Sequence, residues 1–358
     1  MALAIVQQFL EELPPSLQWP VHICAYTTVA CYVLSVITGN VSQVDRIWTF
    51  MPTIYTAYFA LLPFWPKTSL LPLFPYTPED VLPAARQNYS PRALLMLGLT
   101  MVWMFRLSYN TWRRGLFNLH DEDYRWAVLR QRIPTWFFQV VNITFIAAIQ
   151  NVILLLLGIP TYFAVFQQPT QLATSDYILA ALALIDLTLE FTADNQQYSY
   201  QTYKHTGVLP ATEWPFANLN WTAADLKRGF VTRGLWAWSR HPNFLCEQTF
   251  WIIITLFPIL SPESPRLAPL STSAITPIWP LAPALVLCTL FFSSTIFTES
   301  ISLSKYPEGY RAYQKRVAMF IPFLTPAWGF LLQLQGKKAE VDELVYGENV
   351  PKIKGKDE

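Results

Sequence analysis

The chain has 358 residues, 53% of them hydrophobic and only 14% charged, with a net charge of +1. A soluble domain carries roughly 25% charged residues, so the composition argues for a bilayer rather than a large water-soluble core. The near-neutral balance gives no electrostatic case for nucleic acid as a partner. The four cysteines (Cys24, Cys31, Cys246 and Cys288) form no C-x-x-C pair and read as small buried hydrophobes. His22, His120, His205 and His241 are too scattered for a zinc set, so no metal site is expected.

The first residues, M-A-L-A-I-V-Q-Q-F-L-E-E, lack the basic start and cleavage site of a signal peptide, and 1–20 is read as an N-terminal segment. A spanning helix needs about 20 mostly apolar residues. Candidates follow near 21–39, 46–66, 92–112, 136–165, 176–193, 244–260 and 277–298. The expected fold is therefore an all-α polytopic transmembrane bundle of about seven spans. The fourth run is too long for one straight crossing and is expected to tilt, or to kink before Pro160. Basic residues crowd the loops 113–135 and 194–243 and the tail after 299, whereas 166–175 has none. The positive-inside rule puts the basic loops in the cytosol, the N-terminus on the lumenal side and the C-terminus in the cytosol. Prolines concentrate in the two proposed outer loops, which read as stiff connections. Residues 21–325 form one membrane domain and 326–358 a polar cytosolic tail, frayed beyond 333. The terminal K-G-K-D-E resembles a dilysine retrieval signal of endoplasmic-reticulum membrane proteins.

Polar residues inside spans are costly and are usually paired or functional. Asp45 and Arg46 open the second span. Arg106, Asn110 and Arg113 share one face of the third, at helical spacing. Glu190 and Asp194 share a face of the fifth, Asn243 and Glu247 open the sixth, and Glu299 ends the seventh. In W-A-W-S-R-H-P-N, residues 236–243, Pro242 suits the first turn of a helix. A helix N-terminus beside Arg240 favours an anion such as a nucleotide pyrophosphate. In H-D-E-D-Y-R-W, residues 120–126, Asp123 and Arg125 belong either to a pocket or to an interfacial loop. Tyr306, Tyr310 and Tyr313 give an aromatic face beside Arg316. Walker, G-x-S-x-G, H-E-x-x-H and G-x-G-x-x-G motifs are absent, so any nucleotide must be held by side chains within the bundle.

The ordered series D-R-I-W at 45–48, R-L-S and R-R-G within 106–115, E-D-Y-R-W at 122–126, G-L-W-x-W-S-R-H-P-N-x-x-x-E at 234–247 and Y-P-x-x-Y-x-x-Y-Q-x-R-V-x-x-F-I-P at 306–322 resembles a known membrane family. It is the family with a steroid 5-alpha-reductase C-terminal domain, in its microbial and fungal branch. The resemblance covers about 40–325. It implies a helix bundle in which NADPH, entering from the cytosol, gives hydride to a conjugated enone or enoyl group of a lipophilic substrate. Sterols and polyprenoid lipids are the substrate classes. By motif, Arg240, His241, Asn243, Glu247, Asp194, Tyr310, Tyr313 and Arg316 are cofactor contacts, together with the buried-span residues Arg106 and Asn110. Tyr58, Tyr109 and Glu190 are the candidates for polarising and protonating the substrate, with Tyr55 as a further tyrosine in the second span. Such chemistry requires a dry pocket and a positioned acid.

R-H-P followed by a distant glutamate also resembles isoprenylcysteine and phospholipid methyltransferases of the same superfamily. There S-adenosylmethionine is the cofactor, and Glu299 would hold its ammonium group. The upstream blocks and the extra helices favour the reductase side. A third reading is a sterol- or lipid-binding scaffold without catalysis.

Overall fold

In the computed structural model the described residues are 13–69, 71, 73–79, 81–167, 171–209, 214–217, 219–262 and 280–348. Most of the N-terminal segment, the second proline-rich loop and the K-G-K-D-E tail lie outside them. All regular structure among the described residues is helical. The chain divides into two compact units, one of Met1–Ala183 with Trp251–Leu287, the other of Leu184–Phe250 with Cys288–Glu358.

In the first unit, α1 (Pro15–Thr38) starts at a proline and ends at Gly39, whose φ of 67° is the left-handed cap that glycine tolerates. The expected second span, 46–66, is not one helix. It is α2 (Gln43–Trp48), a break, then α3 (Met51–Ala60) and a 3-10 turn at Leu62–Phe64. Pro52 explains the break: without an N–H it cannot continue a helix from above, but it fits the first turn of α3. A short α4 (Pro83–Gln87) precedes α5 (Pro91–Arg113), which opens with Ser90 Oγ accepting from Ala93 N at 3.3 Å. The basic loop holds α6 (Tyr124–Arg132).

The expected long fourth run is a helix over Thr135–Phe166 in pieces. These are α7 (Thr135–Val141), a π-helical stretch (Asn142–Ile149), α8 (Gln150–Leu156) and α9 (Ile159–Phe166). The turn at Leu157–Gly158 is the expected kink before Pro160. Gly158 is required there: a Cβ would stand 2.6 Å from Cβ of Tyr55.

Helix α10 (Thr174–Thr206) has 33 residues, far longer than the 176–193 expected. Its part beyond Ala183 belongs to the second unit. There follow α11 (Ala223–Arg228), a 3-10 turn (Gly234–Ala237), α12 (Pro242–Ile259) and α13 (Ala282–Lys305). The last helices are α14 (Pro307–Arg316), α15 (Leu324–Leu334) and α16 (Lys338–Tyr346). The segment beyond 333 is thus not frayed as far as it is described. Val341 and Val345 of α16 pack with Tyr310 and Tyr313, and Arg228 Nη2 donates to the Gly347 carbonyl.

Three described helices are long and apolar enough to cross a membrane: α1, the Thr135–Phe166 run and α13. Their large apolar side chains face outward, as with Val29, Val33 and Ile37 on α1 or Phe292 and Ile296 on α13. Charge is placed inside instead. Arg92 and Asp176 are wholly buried and paired bidentately, Nε–Oδ1 at 2.7 Å and Nη2–Oδ2 at 3.1 Å. Gln167 extends this pair, accepting from Arg92 Nη1 and donating to Pro258 O at 2.6 Å. An inverted distribution of this kind fits lipid as the solvent.

The D-R-I-W and E-D-Y-R-W motifs interlock. Arg46 donates to the carbonyls of Asn118 and Asp121, Val41 N donates to Glu122, and Asp123 N donates to Ser42 Oγ. Asp123 pairs with Arg125 at 2.8 Å and Trp126 is buried. These residues tie the loop before α2 to the loop before α6, a structural role.

Removing one partner of a buried pair leaves an uncompensated charge, at a cost of about 3–5 kcal/mol. Arg92→Leu is expected to lower unfolding stability in detergent by about that amount. Arg92→Leu combined with Asp176→Leu should recover most of the loss.

Candidate functional site

Every part of the site lies in the second unit. Helix α10 presents Glu190 and Asp194, both buried, on one face. Two residues on, Gln196 fixes the segments on either side of α11: its Oε1 accepts from Leu235 N at 2.9 Å and its Nε2 donates to Phe216 O at 2.9 Å. Gly234, with φ 65°, lies so close to the Gln196 amide that a Cβ would meet it at 2.6 Å. Trp236 Nε1 donates to Ala193 O at 3.2 Å. The 234–241 segment is thereby laid along α10.

Its far end is held by the loop after α14. Arg240 N donates to Ala318 O at 2.9 Å, His241 N to Met319 O at 3.1 Å, and Ser239 Oγ to Met319 O at 3.1 Å. Pro242 then opens α12, as its position in the sequence predicts. Asn243, in the first turn, donates through Nδ2 to Asp194 Oδ1 at 3.2 Å, and its buried Oδ1 has no hydrogen-bond partner. Glu247 is buried one turn later.

The centre of this arrangement is Glu299 on α13. Its Oε1 accepts from Arg240 Nε at 2.7 Å and contacts His241 Nε2 at 2.9 Å. Its Oε2 accepts from Arg240 Nη2 at 3.0 Å and from Gln314 Nε2 at 2.7 Å. A carboxylate offers roughly four acceptor sites, so this one is saturated. Arg240 is nearly saturated as well, because Nη1 also donates to the Val317 and Gln314 carbonyls. Its guanidinium therefore shapes the turn; it does not present an open fork to a phosphate.

His241 is different. Burial pushes its pKa below the usual histidine value, and the contact with Glu299 only partly offsets this. Burial thus favours the neutral ring. Facing a carboxylate that can only accept, Nε2 carries the proton, which leaves Nδ1 as an acceptor. The ring stacks on Phe244 at 5.7 Å between centroids.

The remaining sequence candidates separate. Tyr313 is buried and its hydroxyl donates to Trp236 O, while Tyr310 packs edge-on against Phe230. Both support the turn from behind. Arg316 turns toward the tail, with Nε 2.6 Å from Asp342 Oδ1. In the first unit, Arg106 and Asn110 are buried on one face of α5, where Asn110 Oδ1 accepts from Arg113 Nε at 3.0 Å. Tyr58 is fully buried and donates to Tyr76 O at 3.1 Å. It packs among Ala93 and Leu97 near the start of α5, whereas Tyr109, at 47% exposure, lies near its end. A helical rise of about 1.5 Å per residue puts those two regions about 18 Å apart, so the tyrosines do not share a site. Gln314, which sequence reasoning passed over, stands next to Tyr313 in the Y-Q-x-R motif.

Glu299→Ala is expected to destabilise the protein by about 3–5 kcal/mol, because Arg240 stays buried without its counter-charge. Gln314→Ala, which removes one charge-assisted bond, should cost about 1.5–3 kcal/mol. Denaturant unfolding in detergent checks both.

Residues 31–317 match the family described as a protein of unknown function, DUF1295. An uncharacterized protein of Schizosaccharomyces pombe is 34% identical over 292 residues, 81% of this chain and 75% of the relative. No solved structure matches. The chain belongs to the DUF1295 family.

Proposed function

We propose that this DUF1295 protein is an NADPH-dependent reductase of a carbon–carbon double bond in a lipophilic substrate such as a sterol or polyprenoid lipid. It acts as a bundle of about seven spans in the endoplasmic-reticulum membrane, with the N-terminus lumenal and the C-terminus cytosolic. The likeness of its ordered motifs to the steroid 5-alpha-reductase group supplies the reaction class.

The observation that carries the choice within that superfamily is the saturation of Glu299. A methyltransferase needs that carboxylate for the ammonium of S-adenosylmethionine, and here all its acceptor sites are taken by Arg240, His241 and Gln314. The turn instead offers His241 Nδ1 and the unpartnered Asn243 Oδ1, two acceptors suited to the amide and hydroxyl donors of a nicotinamide riboside. The first-turn N–H groups of α12 suit its pyrophosphate. Arg240 contributes by positioning the turn, and Asp194 by orienting Asn243.

NADPH, when bound, supplies a hydride. The chain must supply the proton, and Glu190 is the best placed of the three acid candidates. Its carboxyl is buried on the α10 face that carries Asp194, whereas Tyr58 is engaged with Tyr76 and Tyr109 is half exposed near the end of α5.

Thermal unfolding of the detergent-solubilised protein tests this reading. NADPH at 100 times its Kd should stabilise by about 2.7 kcal/mol, and His241→Phe should remove the response. Stabilisation by S-adenosylmethionine and not NADPH would contradict the proposal in favour of methyl transfer. Stabilisation by sterol alone would favour a lipid-binding scaffold.

A further inference from the structure

Helix α15 has its polarity reversed. Thr325, Gly329 and Leu332, which share one face, are buried. Gly329 covers the Arg316 guanidinium, where a Cβ would lie 3.1 Å from Nη1. Apart from Gln333, the rest of the helix surface is apolar and open. Phe323 is 84% exposed and Leu334 69%, and Leu324, Phe330 and Leu331 are exposed between them. In water such a face would be an unexplained cost.

Length excludes a crossing. Eleven residues rise about 16 Å, roughly half of a hydrocarbon core of about 30 Å. Trp328, part-exposed on the same surface, is a residue type of membrane interfaces. Lys337 and Lys338 follow the C-terminal end of the helix, and Lys315 precedes it on α14. An apolar face bounded by cations, on a helix too short to span, complements the acyl–headgroup boundary of an anionic leaflet. Only α14 separates this helix from α13, which is itself long and apolar enough to cross the membrane.

We infer that α15 lies in the plane of the membrane, with Phe323, Phe330, Leu331 and Leu334 seated in the leaflet, and that it moors the 236–243 turn to the bilayer surface. The mooring is Thr325. Its hydroxyl donates to Trp238 O at 2.6 Å and accepts from Ala318 N at 2.9 Å, so the membrane-seated helix holds both the turn that carries Arg240 and His241 and the loop after α14 that pairs with it. Trp238, itself 54% exposed, extends the apolar surface from the turn.

The test uses the full chain in vesicles of phosphatidylcholine with a minority of phosphatidylserine. Nitroxide labels are introduced one at a time through Phe330→Cys, Leu334→Cys and, as the water-facing reference, Glu340→Cys, against the labelling of the unsubstituted chain. The ratio of collision rates with oxygen and with a water-soluble nickel chelate is then measured. The ratio should be several-fold higher at 330 and 334 than at 340. Equal ratios at all three positions would overturn the inference. So would protection of 330 and 334 from both reagents, which would mean that a second copy of the chain covers the face. Neither outcome depends on which cofactor the site takes.

Discussion

The carboxylate of Glu299 is the point on which the second unit depends. It is contacted by Arg240 twice, His241 once and Gln314 once, and these come from the turn before α12 and from α14. One charge on α13 thus gathers the motif-bearing segments. In a low-dielectric interior such a centre is stable only when every donor is present, because the desolvation of a lone carboxylate or guanidinium is not recovered otherwise. The same completeness has a chemical consequence. With Arg240 and Glu299 satisfied by each other and by His241, Val317 and Gln314, the buried Asn243 Oδ1 beside them is left without a hydrogen-bond partner.

The first unit applies the same rule for a different end. Arg92 and Asp176 neutralise each other completely, and Gln167 carries their network to the end of α12. The D-R-I-W and E-D-Y-R-W motifs resolve into a lock between two loops. Apolar side chains are released to the outside of α1 and α13, where lipid supplies the contact that a protein core supplies elsewhere. Helix α15 continues this logic at smaller scale, with Thr325, Gly329 and Leu332 inward and Leu324, Phe330, Leu331 and Leu334 outward.

Local signals were legible in the sequence where the physics is local. Apolar length located both ends of α5 and α12 to within two residues, whereas α1 starts six residues before the expected span and α13 is displaced by five residues at its start and seven at its end; Pro242 marked the start of α12. Helical spacing put Asn110 beside Arg113. Signals that depend on distant partners were not legible. Arg240 reads as an open cation until Glu299, 59 residues away, is seen to occupy it. Tyr58 reads as a candidate acid until Tyr76 O is found on its hydroxyl. The segment 338–346 reads as frayed because its composition is polar, and its helix is secured by Arg316 on Asp342 and by valines packed against α14. The break inside 46–66 was not legible because hydropathy counts Pro52 as one residue among many, whereas its missing N–H decides where a helix can start.

A double-mutant cycle between Arg240→Met and Glu299→Gln, read as unfolding free energy in detergent, addresses the central interaction directly. The account predicts strong coupling, with the double variant more stable than the sum of the single losses by about 3 kcal/mol, the upper range for paired residues. Additive losses would contradict it, because they would mean that the carboxylate does not organise the turn through Arg240.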